Sequence, residues 1–255
     1  MTTISNHRRA NVILSPTIIL WSIFIALCAV KIIFVSIPTV GPVIFGDELL
    51  YKQFAFKLFN FDTYGSGQYP LLYPAFLAPS FLFGENFYEA MKISNSVVSS
   101  LMIIPVFLIS RLFLSEKESL LVVLSAAVAP YHYVFPQLLM SENLFLPLML
   151  AGVYIAIRKP DRNLLAWDIA TGIITGLLYL TRHISLVIII ALALTWLITN
   201  YERSWRVWLR CAIILAVASA TYSPWILIQI HEGTTFKNIF GFNIINNKSY
   251  CWTAY

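Results

Sequence analysis

Residues 12–35 read VILSPTIILWSIFIALCAVKIIFV, and Lys31 is the one charged side chain in the run. Such a run exceeds the roughly 20 apolar residues that carry a helix across a bilayer. It is too long for the apolar core of a signal peptide and has no small-residue cleavage site, so it reads as a retained helix. The rest of the chain agrees. Apolar residues make up 59%, charged residues 11% and aromatics 15%, with a mean hydropathy of +0.76. A soluble domain carries roughly 25% charged residues, and disordered chains are poor in Phe, Tyr and Leu. Both classes are excluded, and an all-α polytopic transmembrane bundle remains.

Further apolar runs occur at about 93–112, 119–136, 138–157, 164–181, 184–199 and 207–230. A stretch at 69–84 carries Pro70, Pro74 and Pro79, which suits an interfacial or re-entrant segment better than a span. Charge tests that choice. With about seven spans and a cytoplasmic N-terminus, the inner segments hold Arg8, Arg9, Arg111, Lys117, Arg158, Lys159, Arg162, Arg203, Arg206 and Arg210. Making 69–84 a span would move the Arg158–Arg162 and Arg203–Arg210 clusters outside, against the positive-inside rule. The net charge of +5 therefore reads as topology rather than nucleic-acid binding. Cys28, Cys211 and Cys251 show no metal-like spacing. No internal repeat appears.

This layout makes residues 36–92 a long first outer loop. It contains Gly46-Asp47-Glu48-Leu49-Leu50-Tyr51. Two readings of the paired acids stand. Asp47 can open a helix whose positive dipole end suits acids, or one carboxylate can serve as a general base where a lipid-borne substrate arrives. At about 100° per residue, Leu50, Tyr51, Phe54, Ala55 and Leu58 share one arc and Glu48 and Lys52 lie elsewhere, as in an amphipathic interfacial helix. Gln68-Tyr69-Pro70-Leu71-Leu72-Tyr73-Pro74 then leads back toward the membrane.

That order of features resembles the type C glycosyltransferases, in particular the branch of protein O-mannosyltransferases and aminoarabinose transferases. Met140-Ser141-Glu142-Asn143-Leu144-Phe145 is similar to the family's Ser-Glu turn. Gly172 to Arg182, with Gly176 and Leu180-Thr181-Arg182, is similar to its Gly-rich helix, and Ser223-Pro224-Trp225 to its Pro-Trp. The likeness covers about 12–230. The aminoarabinose branch carries Glu-Lys before Pro-Pro-Leu, and Gln68-Tyr69 stands here instead, which argues against that sugar. Family members run longer, so a single domain over 1–255 lacking a C-terminal part is one expectation.

The resemblance implies transfer of a sugar from a polyprenyl-phosphate carrier to a protein, lipid or glycan acceptor outside the cytoplasm, in the plasma (inner) membrane. It implies Asp47 as base and Glu48 as its support or the acceptor's holder. The donor phosphate would meet outer-face cations: Arg182, His183, Lys92 and, less directly, Lys31, read as snorkelling. Arg182 has a second reading, snorkelling to headgroups or pairing with a carboxylate such as Glu142. Ser141, Glu142 and Asn143 read equally as a helix cap or as part of the active face. Tyr51, Tyr69 and Tyr73 can stack on sugar or simply anchor at the interface. Tyr131-His132-Tyr133 reads as a kinked, interfacial span end. No cofactor is required by these residues. A divalent ion on Asp47, Glu48, Glu142 and His231 is conceivable, without ligand spacing to support it. Asn247-Lys248-Ser249 is an acceptor sequon. The other function classes are a transporter or lipid flippase, which would need mid-membrane ionisable groups beyond Asp168, and a truncated non-catalytic membrane protein.

Overall fold

The computed structural model describes residues 15–36, 46–62, 69–158, 164–187, 189–191, 194, 205–231 and 233. The sequon, Cys251 and Glu232 lie outside them, as does half of the run at 184–199. Among the described residues every regular element is helical.

Helix α1 (Pro16–Ser36) opens on Pro16 at its first position, where the missing N–H costs nothing. Its Ile18, Trp21, Ile25, Ile33 and Phe34 are exposed, as lipid solvation permits. Helix α2 (Gly46–Phe59) has Asp47 and Glu48 in its first turn and Lys57 in its last, both favourable to the dipole. Helix α3 (Leu72–Leu77) runs into a 3₁₀ segment, Ala78–Asn86. Gly84 then breaks the path with φ of 59°, a conformation that suits glycine. Beyond it come α4 (Phe87–Ser100), α5 (Ile103–Ser110), α6 (Glu116–Ala127) and the short α7 (Tyr131–Val134). The remaining helices are α8 (Glu142–Ile157), α9 (Leu164–Thr181) and α10 (Trp205–His231).

Side-chain contacts fix the helix directions. Helices α1 and α4 are antiparallel, since Lys31 meets Ser99 while Ser36 meets Glu89. Helices α8 and α9 are antiparallel too: Tyr154 and Ile155 touch Trp167, and Glu142 meets Arg182. Helices α9 and α10 run parallel, because Asp168 faces Arg210, Gly172 faces Val217 and Gly176 faces Thr221. A parallel pair needs a return crossing between its members, the role expected of 184–199. Gly172 and Gly176 let α9 and α10 approach closely. A Cβ at Gly176 would lie 2.5 Å from Thr221 Cβ, and one at Gly172 would lie 2.7 Å from Val217 Cβ. Small residues at such contacts supply the close van der Waals packing that holds helices together in lipid.

Four helical stretches are long and apolar enough to cross a membrane, Pro16–Ser36, Leu72–Ser110, Leu164–Thr181 and Trp208–His231, and Glu142–Ile157 is a shorter apolar helix. The run expected at 119–136 is divided into α6 and α7. Length and hydropathy thus single out fewer spans among the described residues than the expected seven. The helix expected around Leu50–Leu58 is present as α2, whereas α3 opens the apolar stretch Leu72–Ser110. The bundle has two chemically distinct ends. One gathers Arg111, Glu116, Glu118, Arg158, Asp168 and Arg210. The other gathers the starts of α2, α4 and α8 with the ends of α1, α9 and α10.

Candidate active site

Helix α2 lays one face on the second end. Glu48, Tyr51 and Ala55, spaced three and four residues apart, are buried at 4%, 6% and 0% exposure. This corrects the expected helical wheel, which set Glu48 apart from Tyr51. Asp47, one position earlier, points outward and is exposed. The paired acids therefore occupy different environments. Asp47 Oδ1 accepts the Tyr69 hydroxyl at 2.9 Å. Glu48 Oε1 accepts the Tyr88 hydroxyl, and Glu48 Oε2 is buried with no hydrogen-bond partner.

Tyr51 is the centre of the aromatic floor. Its ring meets those of Tyr69 and Tyr73 edge-on, with centroids 5.3 and 4.8 Å apart. Its hydroxyl donates to Ser141 Oγ at 3.0 Å. Burial pushes the Tyr51 phenol up to about 12, outweighing the Ser141 bond, and it also feels the charges of Asp47, Arg182 and Glu142. Tyr73 donates to Asn95 Oδ1 at 3.1 Å, and Asn95 Nδ2 donates to the Leu138 carbonyl at 3.1 Å. Asn95 thereby ties α3 to the turn before α8.

That turn does not cap α8 through Ser141, whose hydroxyl makes no cap bond and instead receives Tyr51. Asn143 Nδ2 donates to the carbonyls of Phe135, Leu138 and Met140, at 3.0, 3.1 and 3.1 Å, and so holds the turn from inside. Glu142 is left to face Arg182, and the two form an ion pair at side-chain exposures of 24% and 34%. One guanidinium nitrogen meets the carboxylate. An arginine fork has five N–H donors, so this one keeps capacity for a second anion.

Lys92 and Tyr88 lie one turn apart on α4. Lys92 is buried, and its ammonium sits 4.7 Å from the centre of the Tyr88 ring. His183 packs between aromatics, its ring 5.3 Å from Tyr179 and 5.6 Å from Trp225. The site thus brings together Asp47, Glu48, Tyr51, Tyr73, Glu142 and Arg182. Lys92 joins them through Tyr88, and His183 stands in the neighbouring aromatic cluster.

Two expectations need correction. Lys31 does not snorkel: it is 1% exposed and donates to Ser99 Oγ at 2.9 Å, with His132 Nδ1 at 3.3 Å. His132 is likewise buried within the bundle rather than anchored at the interface. Among the described residues no three His, Cys, Asp or Glu side chains gather as a metal site would. Tyr88 and Asn95 were missed as site residues. Their signal was the spacing of Tyr88, Lys92 and Asn95 along one helical face, a polar stripe cut by placing the span's start at residue 93.

One end of this all-helical bundle thus carries paired carboxylates, a tyrosine floor and an arginine that meets Glu142 through one nitrogen. The chain belongs to the dolichyl-phosphate-mannose-protein mannosyltransferase family, which matches residues 68–228. The match begins after α2, so Asp47 and Glu48 precede it. The fold is similar to the crystal structure of ArnT from Cupriavidus metallidurans bound to undecaprenyl phosphate. The TM-score is 0.67 at 18% identity, over 89% of this chain and 43% of that one. The chain therefore spans less than half the length of that protein. No curated protein sequence matches the chain.

Proposed function

We propose that the chain is the core of a membrane glycosyltransferase that moves one sugar from a polyprenyl-phosphate carrier to an acceptor hydroxyl on the extracytoplasmic side. The observation that carries this reading is the split environment of the paired acids at the start of α2. Asp47 is exposed and held by Tyr69 through one oxygen, so its second oxygen faces an arriving acceptor. Glu48 is buried and fixed by Tyr88, as suits a group that holds rather than reacts.

In the step itself, the acceptor oxygen attacks the anomeric carbon while its proton passes to the Asp47 carboxylate. The bond from that carbon to the phosphate oxygen breaks, and its electron pair leaves with the polyprenyl phosphate. Direct displacement inverts the anomeric centre. Arg182 and Lys92 receive the phosphate, with Arg182 exchanging part of its contact to Glu142 for the leaving group. Tyr51, Tyr69 and Tyr73 form the floor for the sugar. His183 orders the aromatic cluster that backs Arg182. The ArnT structure holds undecaprenyl phosphate, which supports a lipid phosphate as the carrier. Hexose or pentose, and a protein, lipid or glycan acceptor, are the choices the assay must resolve. The end that carries Arg111, Arg158 and Arg210 faces the cytoplasm in this reading, with the N-terminus inside. A transporter reading loses its main support, since Asp168 is closed in an ion pair with Arg210.

The test is incubation of membranes holding the full chain with a panel of polyprenyl-phosphate sugars, scoring carrier release and glycosylated product. Asp47→Asn should lower transfer by about 10²–10⁴-fold while insertion and yield stay as in the wild type. Full transfer by that variant would remove Asp47 as the base.

A further inference from the structure

Lys92 raises an electrostatic problem that the reaction alone does not answer. Lys92 is 8% exposed as a residue, yet the ion pairs among the described residues are Arg182 with Glu142 and Arg210 with Asp168. A buried cation without a counter-ion is costly. What it has is the face of Tyr88, 4.7 Å away, and such a face attracts a cation more strongly when both are desolvated. The edge of the same ring carries the hydroxyl that Glu48 accepts. Glu48 faces a matching problem, because its Oε2 is buried and unpartnered. One phenol therefore stands between an unmatched cation and a half-satisfied carboxylate.

We infer that Tyr88 is a positioning residue with two separable roles, its hydroxyl setting Glu48 for the acceptor and its ring setting Lys92 for the donor phosphate. The inference rests on the transferase reading above. Fixing Oε1 leaves Oε2 as the atom that an acceptor hydroxyl would satisfy once it displaces the side chains that cover it. The ring holds the ammonium in place without neutralising it, so the full charge remains for an arriving phosphate. A carboxylate in that position would cancel the attraction.

The two roles come apart by substitution. Tyr88→Phe keeps the ring and removes the hydroxyl, whereas Tyr88→Leu removes both. In the full chain reconstituted in nanodiscs, Tyr88→Phe should bind undecaprenyl phosphate as the wild type does. Its kcat should fall roughly tenfold, the scale of one hydrogen bond to a charged group, with the donor KM unchanged. Tyr88→Leu should show the same kcat loss, bind the carrier about three- to tenfold more weakly and raise the donor KM to match. Wild-type kcat in Tyr88→Phe would overturn the hydroxyl role, and wild-type carrier binding in Tyr88→Leu would overturn the ring role. Losses that merely track the fraction of folded protein in both variants would overturn the inference as a whole. A wild type that transfers no sugar from any donor would instead sink the transferase reading, and carrier binding by the two variants would still decide the ring role.

Discussion

Two arginine–carboxylate pairs sit at opposite ends of α9, and they are built differently. At the end where α9 starts, Asp168 is 2% exposed and receives three contacts from Arg210: Nε at 3.1 and 2.9 Å and Nη2 at 2.8 Å. The fork closes on both carboxylate oxygens and locks α9 to the parallel α10. At the other end, Arg182 touches Glu142 through one nitrogen, and both side chains are about a quarter to a third exposed. The first pair is saturated, whereas the second has donors to spare beside Tyr51 and Ser141. The difference separates an ion pair that holds helices together from one able to trade partners.

The largest effect should come from breaking the closed pair. Asp168→Asn leaves the Arg210 guanidinium, 23% exposed, without its carboxylate, which costs up to about 3–5 kcal/mol. Melting of the purified protein in detergent should register it as a large fall or a loss of folded yield. Replacing both partners with leucine should recover part of the loss, since two apolar groups leave no uncompensated charge. A single variant that melts like the wild type would mean the pair contributes no structural hold.

Next comes the close approach that the closed pair secures. Gly176→Ala places a Cβ within 2.5 Å of Thr221 Cβ and 3.0 Å of the Ala218 carbonyl oxygen. Overpacking of this kind costs about 1–3 kcal/mol. Melting should fall and transfer should weaken with it, because α9 also carries Arg182. Unchanged melting would show that α9 and α10 can part without penalty.

At the open pair the balance reverses. Arg182→Gln should move stability by under about 1 kcal/mol, as expected for a partly exposed pair, while the donor KM rises about tenfold through one lost phosphate contact. Glu142→Gln should leave the donor KM equal to or below the wild-type value, because Arg182 no longer divides its donors. A melting loss at Arg182 as large as at Asp168 would erase the contrast between the two ends.

The two ends also differ in how far they can be read without coordinates. Membrane class is written in composition, since 59% apolar and 11% charged residues leave a plain trace. Packing inside the bundle leaves a weaker one. In water, the polar face of a helix marks its exposed side, but in lipid both sides of a span are apolar, so periodicity stops separating buried from exposed. The inward turn of Lys31, held by Ser99 and His132, is illegible for this reason, since the run around it looks uniform. Glu48 shared the buried face of α2 because Tyr88, forty residues on, supplies its hydrogen bond. The Arg182–Glu142 contact was anticipated as one of two readings because each residue stands alone at a helix end on the same side. The polar stripe Tyr88, Lys92 and Asn95 needed the true start of α4, which apolar content places several residues too late.

The smallest effect at neutral pH, and the sharpest probe of the site floor, is at Tyr51. Tyr51→Phe removes one hydrogen bond to Ser141 and should cost about 1 kcal/mol, with the edge-on contacts to Tyr69 and Tyr73 retained. Its pH dependence carries more information. The folded phenol is pushed from 10.0 up to about 12, so the folded protein keeps its proton where the unfolded chain has already lost it. The stability this group contributes is complete below about 10 and is lost as pH rises toward 12. Wild-type melting should therefore decline across that window more steeply than that of Tyr51→Phe, and the two curves should converge or cross in alkali. Parallel curves would mean that Tyr51 ionises as a solvated phenol does, and that the floor beneath Asp47 and Arg182 is open to water rather than sealed.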